Sequence, residues 1–372
     1  MSGIHGLAMP KWGLSMKEGK VVAWLVPEGA EVKPGEEIVE IETEKILGSL
    51  EAPASGILRR QVAKVDDVIS VAGLVGVMAD SSVSDSEIDS FIAEFQARAV
   101  AQKTETESRE PAPEVVVLQG RSLRYLKRGE GEQPAILIHG FGGDLNSWLF
   151  NHQDLAEKRA VYALDLPGHG GSSKQVGSGT ISEFAKVLEM FMDASGLERA
   201  HLVGHSIGGV VALEFALTRP ERCLSLVLIA SAGLGAEIDS EYINGFLAAG
   251  RRKDLKPYIE KLFADSKLVG RQIVEDVLRY KRLDGVEAAL RKIAGEFCRG
   301  GQQVVILRDR LSQLPVPVLV IWGAEDHILP VSHTQGLSAN VKTEVLPGSG
   351  HMVHMESAAK VNRLIQAFWE SG

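Results

Sequence analysis

The chain has 372 residues, 45% of them hydrophobic and 24% charged, and 49 acidic side chains outweigh 40 basic ones to give a net charge of -9. That length leaves room for two or three globular domains, and the acidic balance excludes the concentrated positive surface that nucleic acid or an anionic membrane would attract. Cys223 and Cys298 stand far apart without a CxxC partner or clustered histidines, so neither a disulfide framework nor a metal site is expected and both read as packing residues. The start, Met1 to His5, has no basic region, and no apolar run reaches the roughly 18 residues of a membrane span. The expected compartment is the cytoplasm.

In chain order, residues 5 to about 80 read as short alternating strands broken by turn signals, an all-β pattern that sets a first domain at 1–80. Val26 to Gly35 is echoed by Val62 to Val68, and placing Val32 on Val68, Ile38 on Leu74 and Ile41 on Val77 predicts two similar halves of a small sandwich. Lys45, in Glu42-Thr43-Glu44-Lys45-Ile46, falls at the turn joining the halves, exposed and without a nearby base. Such a lysine is better placed to be modified than to do acid/base chemistry.

Ser84 to Val100 carries Ile88, Phe91, Ile92, Phe95 and Ala99 at helical spacing, with Ser84 and Glu87 as a capping box. Ala101 to Pro113 has almost no apolar content and reads as a tether. Residues 81–114 are therefore a helix and a linker; packing of the helix on a domain and docking of a partner both stay open.

From 115 to 372, wholly apolar runs alternate with helical segments: Ala135 to His139, Ala160 to Asp165, Ala200 to His205, Leu224 to Ala230 and Val316 to Trp322. These predict buried strands of a parallel α/β sheet. About 234–313 interrupts the alternation with helix-like segments, expected as a lid over the C-terminal strand ends.

Gly204-His205-Ser206-Ile207-Gly208 lies between a strand and a helix, the setting a nucleophile elbow needs, and Ser206 is the candidate nucleophile. His139-Gly140-Phe141-Gly142-Gly143 follows another strand, so the amides of Phe141 and Ile207 are the candidate oxyanion donors. Asp326 and His351 follow late strands as candidate acid and base, in the chain order Ser, Asp, His. Glu325 and Asp309 are rivals for the acid, and His354, His327 and His333 for the base. His139 and His205 read as scaffold beside the donors, and Asp165 to Gly170 as a structural loop at the edge of the site.

Met9-Pro10-Lys11-Trp12-Gly13, Gly19-Lys20-Val21, Glu28-Gly29, Pro34-Gly35 and Glu42-Thr43-Glu44-Lys45 together resemble the lipoyl domains of 2-oxo acid dehydrogenase complexes over residues 5–80. Related biotin carriers place Met on both sides of the lysine, whereas Glu44 and Ile46 flank Lys45; the resemblance implies lipoate in amide linkage there. Residues 115–372 resemble the α/β-hydrolase superfamily in the Gly-Phe-Gly-Gly, Gly-His-Ser-Ile-Gly, Glu-Asp-His-Ile-Leu-Pro and Gly-His-Met motifs.

The order of the parts resembles the dihydrolipoamide acetyltransferase (E2) subunits of bacterial acetoin dehydrogenase complexes. That resemblance implies a thiamine-diphosphate-dependent E1 that loads an acetyl group on the Lys45 arm, coenzyme A as acceptor, and a dihydrolipoamide dehydrogenase, E3, that reoxidises the arm. The chain departs from ordinary E2 subunits in lacking a His-x-x-x-Asp-Gly segment and a compact subunit-binding domain. An acyl-Ser206 route to coenzyme A is the resulting expectation, with a thioesterase or esterase and a non-catalytic lipoyl carrier as alternatives. Acyl chain length is not legible, and assembly into a homo-oligomer is left open.

Overall fold

The computed structural model describes residues 4–10, 18–42, 47–96 and 111–371. Lys45, residues 97–100 at the end of the expected helix and residues 101–110 of the expected tether lie outside them. The chain divides into two compact units, Met1–Glu110 and Pro111–Gly372. Among the described residues no helix is long and apolar enough to cross a membrane.

Among its described residues the first unit is a sandwich of eight short strands: β1 (Ile4–Ala8), β2 (Glu18–Trp24), β3 (Glu31–Val32), β4 (Glu37–Glu42), β5 (Leu47–Glu51), β6 (Gly56–Gln61), β7 (Val68–Ser70) and β8 (Leu74–Ala79). They form two four-stranded antiparallel sheets, β1-β8-β6-β3 and β5-β4-β2-β7. The internal repeat is present but one residue out of the expected register. β3 and β7 open at Glu31 and Val68, and β4 and β8 open at Glu37 and Leu74, so Val32 matches Ile69, Ile38 matches Val75 and Ile41 matches Met78.

Two apolar clusters confirm the corrected register. Val26, Val32, Ile38 and Met78 pack in one, and their equivalents Ala63, Ile69, Val75 and Ile41 pack in the other. The cause lies in the turns. Gly29 and Gly35 take positive φ in the first half, whereas Asp66 at φ 75 and Ala72 at φ 64 hold the equivalent places in the second. Because side chains alternate between faces, a slip of one residue exposes the wrong set: Val68 is 56% exposed where Val32 is buried.

Residues 85–96 form a helix, α1, whose first turn carries the expected box: Glu87 N–H donates to Ser84 Oγ at 3.4 Å and Ser84 N–H to Glu87 Oε2 at 2.9 Å. Its apolar face packs on the sandwich, with Ile88 fully buried against Leu74, Val77 and Ala79 and flanked by Phe91, Ile92 and Phe95. Arg59 fastens the approach to the helix by donating to the carbonyls of Asp80 and Val83 and pairing with Asp85. α1 is thus a packing extension of the first unit, one of the two readings its sequence left open.

The second unit is built on an eight-stranded sheet. β9 (Glu114–Leu118) and β10 (Arg121–Arg128) form a hairpin, followed in the chain by β11 (Ala135–Ile138), α2 (His152–Leu155), β12 (Val161–Leu164), α3 (Ile181–Ala194), β13 (Ala200–His205), α4 (Ile207–Thr218) and β14 (Cys223–Ile229). The expected helical insertion then comprises α5 (Ser240–Ala248), α6 (Arg252–Glu260), α7 (Arg271–Lys281) and α8 (Val286–Phe297), and closes with a short hairpin of β15 (Cys298–Arg299) and β16 (Gln302–Gln303). The chain returns through β17 (Val318–Gly323), β18 (Val341–Leu346), α9 (Val353–Glu356) and α10 (Ala358–Ser371).

The strand order is β18-β17-β14-β13-β11-β12-β10-β9, parallel from β18 to β12 and antiparallel at β10 and β9. Period-two alternation supplies a core on each face. Leu202, Leu226, Leu228 and Val320 meet Phe184, Phe191 and Phe215 on one side, and Val203, Val227, Ile229 and Ile321 meet Trp148, Ile365 and Trp369 on the other. Each such fully buried side chain stabilises the unit by roughly 1.5–3 kcal/mol. Cys223 and Cys298 are free, and burial pushes the Cys223 thiol up to about 12.

Candidate active site

Ser206 sits between β13 and α4 with φ 53 and ψ -120, a left-handed conformation that costs a non-glycine residue about 1–3 kcal/mol. Glycines make that turn possible. A Cβ at Gly204 would overlap the Gly208 carbonyl, one at Gly208 the Ile138 carbonyl, and one at Gly209 the Ser231 side chain. Ser206 N–H donates to Ile229 O at 3.0 Å, tying the turn to β14. The serine is half-buried, and its Oγ makes no hydrogen bond among the described residues.

The loop after β11 lies against this turn, because a Cβ on Gly140 would come within 2.8 Å of His205 Nδ1 and 3.1 Å of Ser206 Cβ. His139 shapes it: Nδ1–H donates to Gly140 O at 2.7 Å and Nε2 accepts from Leu166 N–H at 3.0 Å. Burial lowers the pKa of this imidazole and keeps it neutral, as that pattern of one donor and one acceptor requires. Phe141 N–H meets no acceptor among the described residues, and Ile207 N–H opens α4, where no carbonyl of the helix can reach it. Neither of the two expected oxyanion donors therefore has a backbone acceptor among the described residues. The loop of Asp165 to Gly170 braces the edge, with the buried Asp165 carboxylate accepting from Leu145 N–H and Gly171 N–H, both at 2.7 Å.

Asp326 follows β17, and His351 lies in the loop between β18 and α9. Asp326 Oδ1 accepts from the N–H groups of Ile328 and Leu329 at 2.8 and 3.0 Å, which fixes the carboxylate, and Oδ2 accepts from His351 Nδ1–H at 2.9 Å. With the proton on Nδ1, Nε2 of His351 is left as an acceptor. Both side chains are buried.

The rivals go elsewhere. Glu325 accepts from Ser349 N–H, Asp309 is exposed on the turn Arg308–Gln313, and His327 is exposed. His333 bonds Glu237 at 2.9 Å, while His354 is buried between Trp148 and His205 at ring distances of 4.8 and 4.5 Å.

The insertion reaches this centre through aromatic side chains. Phe246 on α5 and Phe297 on α8 lie 5.8 and 5.5 Å from the Phe141 ring. Gly142, at φ +72, admits Phe246, since a Cβ there would be 2.6 Å from its ring. Sequence reasoning missed Phe246, Phe297 and Glu356, the last of which accepts from Gly350 N–H beside His351. Only the position of Glu356 shortly after the histidine could have pointed to it.

Residues 134–358 match the family model described as alpha/beta hydrolase fold, and residues 5–78 match that described as biotin-requiring enzyme. The chain is 49% identical, over 99% of both chains, to the dihydrolipoyllysine-residue acetyltransferase component of the acetoin cleaving system of Pseudomonas putida. It is 44% identical to the component of the same name from Cupriavidus necator, over 97% of this chain and 96% of that one. Among solved structures, a bacterial membrane phospholipase A superposes with a TM-score of 0.61 at 27% identity, covering 76% of this chain and 94% of that one. The chain belongs to the family of dihydrolipoyllysine-residue acetyltransferase components of acetoin cleaving systems, in which a lipoyl-type domain precedes an α/β-hydrolase fold.

Proposed function

We propose that this chain carries an acetyl group on a lipoyl arm at Lys45 and transfers it to the thiol of coenzyme A through an ester on Ser206. The observation that carries the reading is the buried Asp326–His351 pair beside the Ser206 turn, in a chain whose other unit is of the lipoyl type. The first unit fits such an arm. Glu42 pairs with Leu47, so residues 43–46, Lys45 among them, link the ends of two paired strands. Lipoate amide-linked to that lysine supplies a dithiol able to hold an acyl group as a thioester.

His351 Nε2 takes the Ser206 proton as Oγ attacks the thioester carbonyl, while the N–H groups of Phe141 and Ile207 receive the developing oxyanion. Each such donor is worth about 10²–10³ in rate. Asp326 holds the imidazole in the required tautomer and stabilises its charged form. The imidazolium returns its proton to the departing thiol. Coenzyme A then gives its thiol proton to His351, its sulfur attacks the acetyl carbon, and Ser206 leaves with the proton restored. Water is the competing acceptor.

In this reading the chain works in the cytoplasm within a multienzyme system, with a thiamine-diphosphate-dependent E1 loading the arm and dihydrolipoamide dehydrogenase, E3, reoxidising it. The test is Ser206→Ala in the full chain, lipoylated and combined with those partners. Acetyl-CoA output should vanish while the arm is still loaded; undiminished output removes Ser206 from the route.

A further inference from the structure

The loop that bears His351 is fastened to the helical insertion by one side chain. Glu356 Oε2 accepts from Gly350 N–H at 2.6 Å, and Oε1 accepts from Ala264 N–H at 2.8 Å in the turn that follows α6. Met352 N–H donates to Leu262 O at 3.0 Å alongside. Gly350 has no room for a side chain, since a Cβ there would lie 2.8 Å from Ala264 N and 3.0 Å from Leu262 O. The same insertion covers Phe141 through Phe246 on α5, and α5 packs on both α6 and α8. The 262–265 turn, α6 and α5 thus form a continuous packed path from the His351 loop to the cover over Phe141.

We propose that Glu356 is a positioning residue that makes the lid and the base loop close as one body, so that His351 is aligned only when the acyl group is shielded from water. This inference rests on the acyl-Ser206 reading. Attack by the thiol breaks the Ser206 Oγ–acyl bond, forms a sulfur–acyl bond and returns the thiol proton through His351 to Oγ. Attack by water forms a carbon–oxygen bond instead and releases acetate and a proton. A lid that has lost its tie to Gly350 admits water to the ester, and the balance moves toward acetate.

The experiment uses the full chain carrying Glu356→Ala or Glu356→Gln, with S-acetyl-dihydrolipoamide and coenzyme A as probes. Acetate and acetyl-CoA are both quantified, and amide hydrogen exchange is followed at Ala264 and Gly350. In Glu356→Ala, exchange at the two amides should rise together by about ten- to a hundredfold, because each loses its acceptor. The acetate to acetyl-CoA ratio should rise about tenfold. Glu356→Gln keeps one acceptor oxygen and should fall between. Unchanged exchange at either amide, or raised exchange with an unchanged product ratio, overturns the proposal. A wild-type chain that makes no acetyl-CoA sinks the acyl-transfer reading instead, and the tie between lid and loop is then decided by the exchange data alone.

Discussion

His205 Nε2–H donates to the backbone carbonyl of His351 across 3.0 Å in the buried floor of the site. The residue preceding the candidate nucleophile thus holds the residue that carries the candidate base. Burial, aided by the neighbouring His354 and His351, lowers the pKa of the His205 imidazole, so it serves as a neutral donor. His205→Ala leaves a buried carbonyl unpaired, a loss of about 1–3 kcal/mol. A base displaced by about 1 Å costs on the order of 10² in rate. Steady-state kinetics on a simple acetyl ester should show kcat down about 10–100-fold, with partial recovery in His205→Gln, whose amide can still donate.

Asp326 uses both oxygens, one for two backbone amides and the other for His351. In Asp326→Asn the amide oxygen can keep the backbone contacts, which turns the NH2 group toward Nδ1 and forces the proton to Nε2. The imidazole is then a donor where a base is needed. Acyl transfer should fall by about 10³–10⁴ with little change in unfolding midpoint. A drop of less than tenfold would move the acid role to another carboxylate.

Gly142 is the point at which the lid meets the oxyanion loop. Its φ of +72, and the 2.6 Å that would separate an added Cβ from the Phe246 ring, give Gly142→Ala two separate penalties. Together they should destabilise the unit by about 1–3 kcal/mol and lower turnover. Phe246→Ala removes the steric part, so the double variant should be less impaired than the sum of the singles, by at least about 0.5 kcal/mol in a double-mutant cycle. Strict additivity would show that the lid does not rest on this glycine.

What the sequence made legible was local. Ser206, His139 and the strands beside them sit within short motifs whose glycines and apolar runs dictate the backbone, and the structure reproduces those elements. The sandwich register was misread because its left-handed positions pass from Gly29 and Gly35 to Asp66 and Ala72, residues that do not announce positive φ. Strand β10 was missed because its single fully buried side chain, Leu123, gives no alternation to read. The Glu356 to Ala264 contact spans 92 positions, and nothing in either neighbourhood encodes the other. Asp326 and His351 are preferred over Glu325 and His354 already in the sequence, from their places just past strand ends, and the structure brings that pair within 2.9 Å of each other.

The larger unit should weaken in mild acid, because its buried histidines stay neutral. Burial lowers His152 to about 4 and His201 and His354 to about 3, and lowers His139, His169 and His205 as well. Once unfolded, each regains its ordinary value of about 6.5. Above that value both states are unprotonated and the histidines add no pH dependence. Below it the unfolded chain binds protons that the folded chain refuses, so stability falls as pH drops from about 6.5 toward 4, by about 1.4 kcal/mol per pH unit for each histidine. Asp144 and Glu356 act with the opposite sign, since burial raises their carboxyls, but they are two groups against six. Urea unfolding followed by the helical circular dichroism signal, which arises mainly from α2 to α10, should show midpoints descending steeply between pH 6.5 and 4. A flat profile across that interval would mean that the histidines take up protons in the folded state, and that His205 and His354 are not the neutral floor their burial requires.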